Sequence, residues 1–155
     1  DTSERIDHEA ELAVVISKIC KEVPREKVKD VIFGYTLAND VTARDLQKKD
    51  GQWSRAKGFD TFCPLGPWID TEFIPGDQLI TAHVDGELKQ SAKLSDMVFD
   101  VPFIIEFVTK VMTLLPGDVI LTGTPSGIGP MNPSGEVSIS IEGLGTLRNK
   151  VSSRG

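Results

Sequence analysis

Two glutamates stand two positions apart in the stretch HEAELAVVI, residues 8–16. In a β-strand, Glu9 and Glu11 point to the same face, with their backbones about 7 Å apart. Two carboxylates at that spacing can both reach one cation, and they are costly to ionise together without one. The pair therefore suggests a divalent metal site. The alternative is a solvent-facing strand edge, where such acidic pairs are common.

A third acidic residue, Asp40, follows the apolar segment YTLAN and precedes a helix-like segment, TARDLQKK. Helical spacing places Arg44 and Gln47 on one side of that segment, three residues apart. An acid, a guanidinium and an amide therefore converge there. The alternative is that Asp40 only caps a helix and Arg44 only pairs with it.

Together, Glu9, Glu11 and Asp40 would form a ligand set made of oxygen alone. Such a set suits Mg²⁺ or Mn²⁺ rather than Zn²⁺ or copper. Octahedral coordination by three carboxylates leaves positions free for water or substrate. A catalytic ion needs such positions if it is to bind a 2-oxo acid and stabilise its enolate.

Two further residues carry groups that suit such a site. Lys57 lies in AKGFDTF, where its ammonium could stabilise negative charge or relay a proton, although a lone loop lysine is often only solvated. Thr124 lies in TGTPSGIGP, residues 122–130, whose hydroxyl and backbone N–H groups could hold a carboxylate. No Gly-Lys-Ser/Thr follows, so this segment is not a P-loop and nucleotide binding is rejected.

The histidines and cysteines offer weaker candidates. His83 sits in a strand pattern and is predicted to be structural, while His8 adjoins Glu9 but points to the opposite strand face. Cys20 and Cys63 lie far apart in the sequence without a Cys-x-x-Cys motif. We therefore predict incidental thiols rather than a disulfide framework or a zinc site.

The composition limits the possible partners. The net charge is −6, and no basic cluster is long enough to follow a phosphate backbone, so no nucleic acid partner is expected. No apolar run approaches the roughly 20 residues of a membrane span, and residues 1–10 are too polar for a signal peptide. We therefore expect a cytoplasmic protein without a membrane partner.

The strand patterns predict an α+β fold that is predominantly β. Strands are predicted at residues 9–16, in YTLAN, and on both sides of a hairpin turn at Asp85-Gly86. Further strands are predicted in GDVILTG, EVSISIEG and GTLRNKV. The segment of residues 51–70 is punctuated by glycine and proline and is predicted to be a long functional loop.

Helix signals are fewer. PREKVKDVIFG predicts a helix with Pro24 near its start and Gly34 as its stop. A short helix is predicted at residues 43–48, because Thr42 and Asp45 approach a capping box. DVPFIIEFVTKVMTLLPGD has apolar residues at helical spacing and is predicted to end at Pro116-Gly117.

Four motifs in a fixed order carry a family resemblance. E-x-E is followed by N-D-V-T-A-R-D-L-Q, K-G-F-D-T-F-C-P-L-G-P-W and L-P-G-D-V-I-L-T-G-T-P-S-G-I-G-P. From about residue 7 to residue 151, the chain resembles the fumarylacetoacetate hydrolase family. The resemblance implies the family's β-roll of stacked mixed sheets with a few helices, assembled as a homodimer. It also implies that residues 1–155 form one catalytic domain, the C-terminal catalytic part of the family.

The same resemblance assigns roles to the candidate residues. It implies that the metal ligands are Glu9, Glu11 and Asp40, and that the catalytic and substrate-binding residues are Arg44, Gln47 and Lys57, with Thr124 holding a substrate oxygen. The family's hydrolases and decarboxylases also use a His-Glu pair on a mobile segment that precedes E-x-E. These 155 residues do not contain that segment, and His8 does not match the pair.

The implied activity is that of a Mg²⁺- or Mn²⁺-dependent enzyme acting on small 2-oxo or enol dicarboxylic acids in aromatic catabolism. The nearest resemblance is to 2-hydroxyhepta-2,4-diene-1,7-dioate isomerases. The alternatives within the family are a C–C hydrolase of the acylpyruvate or fumarylacetoacetate type and an oxaloacetate decarboxylase. A non-catalytic binding domain that keeps the family fold is the alternative from another class.

Overall fold

The computed structural model describes residues 3–152 of the chain. The α-helices are α1 (Arg44–Asp50), α2 (Ser54–Lys57) and α3 (Val101–Val111), and short 3₁₀ helices span Arg25–Val31 and Leu94–Asp96. The strands are β1 (Ile6–His8), β2 (Ala10–Ile16), β3 (Ile32–Asn39), β4 (Thr42–Ala43), β5 (Leu65–Asp70), β6 (Leu79–Val84), β7 (Glu87–Lys93), β8 (Val119–Leu121), β9 (Gly129–Pro130), β10 (Glu136–Ile141) and β11 (Gly145–Lys150).

The strands form three sheets, with the orders β5-β3-β2-β8, β11-β10-β6-β7 and β4-β1-β9. The predicted α+β class, mostly β with stacked sheets, is confirmed. The expectation of mixed sheets is wrong for the described strands, because each of their pairings is antiparallel. Short turns join β6 to β7 and β10 to β11, and a short turn reverses the chain direction.

The core lies between the two four-stranded sheets. Leu12 of β2 and Leu37 of β3 belong to the same buried cluster as Ile80 of β6 and Ile139 of β10. All seven residues of β2 are buried, because the strand is flanked by β3 and β8 and covered by the second sheet. This central strand begins directly after Glu9 and carries Glu11, so both glutamates stand at the edge of the core.

The hairpin between β6 and β7 has the predicted turn. Asp85 and Gly86 have φ angles of 53° and 82°, as a two-residue turn of this kind requires. The register places Gln90 of β7 opposite Ala82 of β6. The hairpin therefore delivers one buried amide, Gln90, toward β2.

Gly34 is not a helix stop, contrary to the sequence-based prediction. The predicted helix is a 3₁₀ helix that ends at Val31, and Gly34 lies inside β3, which begins earlier than YTLAN. A Cβ atom on Gly34 would lie 2.6 Å from the carbonyl oxygen of Asp70. Glycine is needed there because β5 approaches the backbone closely.

Three other boundaries differ from the predictions. The helix α1 begins at Arg44 without a side-chain cap, because the Asp45 carboxylate instead accepts hydrogen bonds from Ser3 and from the Glu4 N–H. The helix α3 ends at Val111, before Pro116-Gly117. The predicted loop of residues 51–70 contains α2 and β5. None of the described helices has the length and apolar character needed to cross a membrane.

Candidate active site

The candidate site forms where the chain passes from one sheet into another. Glu9 occupies the break between β1 and β2. Its N–H donates to the Asn39 side-chain oxygen at 2.9 Å, and its carbonyl accepts from the Asp40 N–H at 2.8 Å. These bonds hold the end of β3 against the break and bring Asp40 beside Glu9.

The structure brings the three predicted ligands together. Glu9, Glu11 and Asp40 each offer a carboxylate oxygen, and these oxygens lie within 4.8 Å of one another. Glu9 and Glu11 are only 6% and 3% exposed. Buried carboxylates crowded in this way need compensating positive charge. A compact group of oxygen donors fits Mg²⁺ or Mn²⁺.

Two side-chain cations contact the acids in the protein itself. Lys57, the last residue of α2, donates to Glu9 Oε2 at 3.1 Å and to Asp40 Oδ2. Arg44, the first residue of α1, donates to Glu9 Oε1. Burial alone would lower the pKa of Lys57, but the carboxylates of Asp40 and Glu9 outweigh it and raise that pKa. Lys57 is therefore held as an ammonium.

A buried aspartate fixes Arg44. The Arg44 Nε donates to Asp7 Oδ2 at 2.9 Å, and its Nη1 donates to Gln47 Oε1 at 2.7 Å. Asp7 is fully buried and also accepts from Arg5 Nε at 2.8 Å. Burial would raise the pKa of Asp7, but hydrogen bonds from Arg5 and Arg44 hold that pKa below its usual value. The Arg44 guanidinium is thus oriented from behind.

Sequence analysis missed Asp7, although a signal was present. Asp7, Glu9 and Glu11 form the alternating pattern D-x-E-x-E. Sequence analysis also missed Asn39, which directly precedes Asp40, and Gln90, which lies in a strand pattern far along the chain. No local pattern in the sequence around Gln90 indicates its contact with the site.

The loop after β8 closes another side of the site. The Thr122 N–H and hydroxyl both donate to the Leu12 carbonyl, at 3.1 and 3.0 Å. The next N–H, that of Gly123, donates to Glu11 Oε2. Thr124 follows directly, half-buried, and its hydroxyl oxygen lies 2.8 Å from Gln90 Nε2. The candidate substrate-binding Thr124 therefore lies next to a residue that contacts the acids.

The remaining histidine and cysteine predictions can be placed in the structure. His8 is buried, and its Nδ1 lies 3.1 Å from Gln90 Oε1 rather than among the acids. Burial lowers the pKa of His8. His83 lies in β6, opposite Ser138 of β10, as its strand pattern predicted. Cys20 and Cys63 are both free thiols.

Glu11 has an unusual ionisation. Burial raises its pKa from 4.5 to about 7, the Gly123 N–H acts in the opposite direction, and Asp40 and Glu9 add to the increase. The folded state therefore binds this proton more tightly than the unfolded chain does. The stabilisation is complete below pH 4.5 and is lost as the pH rises through about 7.

We therefore expect the metal-free protein to lose about 3 kcal/mol of unfolding free energy from Glu11 between about pH 4.5 and 7.5. The measurement is urea unfolding at a series of pH values, on the parent and on Glu11→Gln. The glutamine variant has no proton to release at this position, so its curve should lack that loss. Parallel curves for the two proteins would contradict the prediction.

The comparison with known families follows from this geometry. The sequence profile described as "Fumarylacetoacetate (FAA) hydrolase C-terminal" matches residues 1–152. The chain belongs to the fumarylacetoacetate hydrolase family. The resemblance in the four sequence motifs is thereby confirmed, and the stacked sheets are those of the fumarylacetoacetate hydrolase fold.

Relatives within the fumarylacetoacetate hydrolase family carry several named activities. The crystal structure of 2-hydroxyhepta-2,4-diene-1,7-dioate isomerase from Mycobacterium marinum has 53% identity and a TM-score of 0.97, covering 99% of this chain and 61% of that one. A maleylpyruvate hydrolase structure from Sphingobium, in complex with manganese(II) and pyruvate, has 40% identity and a TM-score of 0.87, covering 96% and 55%. An oxaloacetate tautomerase of Homo sapiens is 41% identical over 152 residues, covering 94% and 69%.

The chain is shorter than many of its family relatives. It spans 58%, 63% and 59% of three curated proteins with 53%, 53% and 52% identity. The candidate site described above nevertheless lies wholly within the part that the chain shares with them.

Proposed function

We propose that this chain is the catalytic part of a divalent-metal-dependent enzyme that acts on small 2-oxo or enol dicarboxylic acids, most nearly a 2-hydroxyhepta-2,4-diene-1,7-dioate isomerase. The observation that carries the proposal is the group of buried carboxylates of Glu9, Glu11 and Asp40 beside Lys57 and Arg44. The named activity of the Mycobacterium marinum relative supports this choice among the family's reactions.

In this proposal, Glu9, Glu11 and Asp40 hold Mg²⁺ or Mn²⁺. The manganese complex of the Sphingobium relative supports a metal site in this fold. When bound, a divalent ion supplies a Lewis acid that lowers the cost of forming negative charge on an enolate. The ion also replaces the compensation that Lys57 gives the acids, which leaves the Lys57 ammonium available to a substrate.

The other residues bind, orient and protonate. Lys57 is held protonated, so it stabilises enolate charge or donates a proton to a carbon or oxygen of the substrate. Arg44 and Gln47 are joined to each other on α1 and orient the polar groups of the substrate. Thr124 offers its hydroxyl to a carboxylate oxygen of the substrate.

Isomerisation needs less machinery than its rivals, which favours it. Moving a proton between two positions of an enolisable acid requires a positioned proton donor and stabilised charge. C–C hydrolysis requires, in addition, a base that activates water. Within residues 3–152, the acids at the site are the candidate ligands, and the nearby lysine is held protonated.

Other outcomes remain part of the proposal because relatives carry their names. The maleylpyruvate hydrolase favours C–C hydrolysis as the second candidate, and the oxaloacetate tautomerase extends proton relocation to a keto-enol pair. Decarboxylation of oxaloacetate would use the same enolate-forming site. A non-catalytic binding domain is the candidate from another class.

The homodimer, the cytoplasmic location and the role in aromatic catabolism are also proposals. Support for a dimer comes from a row of aromatic rings on α3 and just before it. Phe99 and Phe103 stack with ring centroids 4.5 Å apart, and Phe107 continues the row at 6.4 Å. Phe99 and Phe107 are 54% and 60% exposed. A second copy of the chain would remove this surface from water.

The testing experiment is a substrate panel with added metal. The protein, as these 155 residues and in any longer natural form, is incubated with Mg²⁺ or Mn²⁺ and with 2-hydroxyhepta-2,4-diene-1,7-dioate, an acylpyruvate or oxaloacetate. We expect metal-dependent loss of the dienol absorbance, with isomerisation as the fastest reaction. Hydrolysis or decarboxylation as the fastest reaction would select a rival. Metal binding without turnover of any substrate would favour the binding domain.

A further inference from the structure

A buried amide, Gln90, lies behind Thr124 and uses its full hydrogen-bonding capacity. It is 1% exposed. Its Oε1 lies 3.0 Å from the Ala10 N–H and 3.1 Å from His8 Nδ1, and its Nε2 lies 2.8 Å from both Thr124 Oγ1 and the Pro125 carbonyl. The side chain therefore joins β7, the start of β2 and the loop after β8.

Two backbone groups fix which way the amide faces. The Ala10 N–H can only donate, so the amide atom opposite it must be the oxygen. The Pro125 carbonyl can only accept, so the amide atom opposite it must be the nitrogen. The two assignments agree, and neither depends on a side chain whose role could change. Reversing the amide of Gln90 would oppose donor to donor and acceptor to acceptor.

This orientation determines the role of the Thr124 hydroxyl. The Gln90 Nε2 has two hydrogens, one for Pro125 and one for Thr124 Oγ1. The Thr124 oxygen is therefore an acceptor in this bond, and its own hydrogen remains available in another direction. A hydroxyl fixed in this way can donate to an anion without first breaking a bond inside the protein.

The loop itself is held rigidly against β7. Gly127 has a φ of +99°, and a Cβ atom there would lie 2.0 Å from the Lys89 carbonyl oxygen and 3.3 Å from Gln90 Cγ. On the other side, the Gly123 N–H is bonded to Glu11. Thr124 is therefore clamped between the strand that carries Gln90 and the carboxylate cluster.

We propose that Gln90 is a positioning residue that fixes the Thr124 hydroxyl as a hydrogen-bond donor to a carboxylate oxygen of the substrate, an inference that rests on the proposed function. The preferred ligand end is thus an anionic acceptor next to a 2-oxo group. A substrate with an amide N–H or an ammonium in that place would face a donor and bind poorly.

The test uses Gln90→Glu, with Gln78→Glu as the matched control. Gln78 is also an amide bonded to backbone groups, through Gly76 N–H at 2.6 Å and the Ile74 carbonyl at 2.9 Å, but it is remote from the acids in sequence and contacts. The new carboxylate at position 90 can still accept from Ala10 and His8, but it has no N–H for Thr124. The Thr124 hydroxyl must then donate to that carboxylate instead of to the substrate.

Calorimetry at pH 8 measures the affinity of each protein for Mn²⁺ alone, and then for pyruvate with Mn²⁺ present. For Gln90→Glu, we expect pyruvate affinity to fall about 10- to 100-fold while Mn²⁺ affinity stays within about threefold. In the panel reaction, KM should rise by a similar factor with kcat nearly unchanged, because the carboxylate keeps its charge throughout the reaction. Gln78→Glu should match the parent in all three measurements.

A second background separates positioning from general damage. In Thr124→Val, the hydroxyl is already absent, so adding Gln90→Glu should cause no further loss of pyruvate affinity. Gln90→Met serves if the glutamate variant does not fold. It keeps the length of the side chain, and its smaller loss should also vanish in the valine background.

Each other outcome overturns a definite statement. If the parent binds pyruvate and Gln90→Glu binds it equally well, the positioning role is wrong and the proposed function stands. Losses that add in the Thr124→Val background, or a parallel loss of Mn²⁺ affinity, would show that Gln90 is only a structural cross-link. If the parent with Mn²⁺ does not bind pyruvate, the proposed function fails, and the inference fails with it.

Discussion

The Glu11→Ala variant is expected to bind Mn²⁺ about 100-fold or more weakly than the parent. Losing a group that only supports a ligand typically costs 10- to 100-fold in affinity, so losing a ligand should cost at least as much. Glu11 is 3% exposed on a central strand, and no neighbouring side chain can move into its place without breaking the core. Calorimetric titration with Mn²⁺ at pH 8, where Glu11 is ionised, measures the difference.

The control for this prediction is Glu142→Ala. Glu142 is an exposed glutamate beyond β10, so the variant loses the same side chain without touching the acid cluster. It should bind Mn²⁺ as the parent does. If Glu11→Ala also retained parental affinity, the assignment of the three carboxylates as ligands would be wrong.

The second large effect concerns Lys57→Met, which should change catalysis and metal affinity in opposite directions. Turnover should fall about 10²- to 10⁴-fold, since a positioned proton donor contributes that much to a reaction. Mn²⁺ affinity should stay level or rise, because the Lys57 ammonium contacts the same Glu9 and Asp40 carboxylates that would hold the ion. The measurements are kcat for the best substrate of the panel and a Mn²⁺ titration.

Lys110→Met is the matched control. Lys110 forms an exposed pair with Glu106 at 2.9 Å on α3, so its loss should leave both quantities near parental values. Retained turnover in Lys57→Met would remove Lys57 from the mechanism. A large loss of Mn²⁺ affinity would show instead that the lysine maintains the shape of the acid cluster.

Much of the candidate site could be predicted because its signals are local. Glu9 and Glu11 are separated by one strand repeat, and Arg44 and Gln47 by one helical turn. The Asp85-Gly86 turn was equally predictable, since its backbone angles demand particular residues. Joining these local patterns into one site required the family motifs, because the hydrogen bonds that bring Asp40 to Glu9 connect residues about 30 positions apart.

The features that sequence analysis missed or misassigned depend on neighbours distant in the chain. Gly34 reads as a helix stop, but its function is to let Asp70 of β5 approach. Gln90 looks like one residue of an ordinary edge strand, because the atoms that give it a role belong to Ala10 and Pro125. Asp7 is buried by arginines on either side of it in the sequence, and periodicity alone does not show that burial.

The position of Glu9 at the break between β1 and β2 has a mechanical consequence. The three-stranded sheet of β4-β1-β9 ends where the four-stranded sheet begins, and the candidate ligands lie along that seam. Glu11 belongs to the larger sheet, Asp40 to the turn from β3 into β4, and Glu9 to both sheets. An ion held by all three would work as a rivet, so that prying the small sheet away from the core would first require emptying the site.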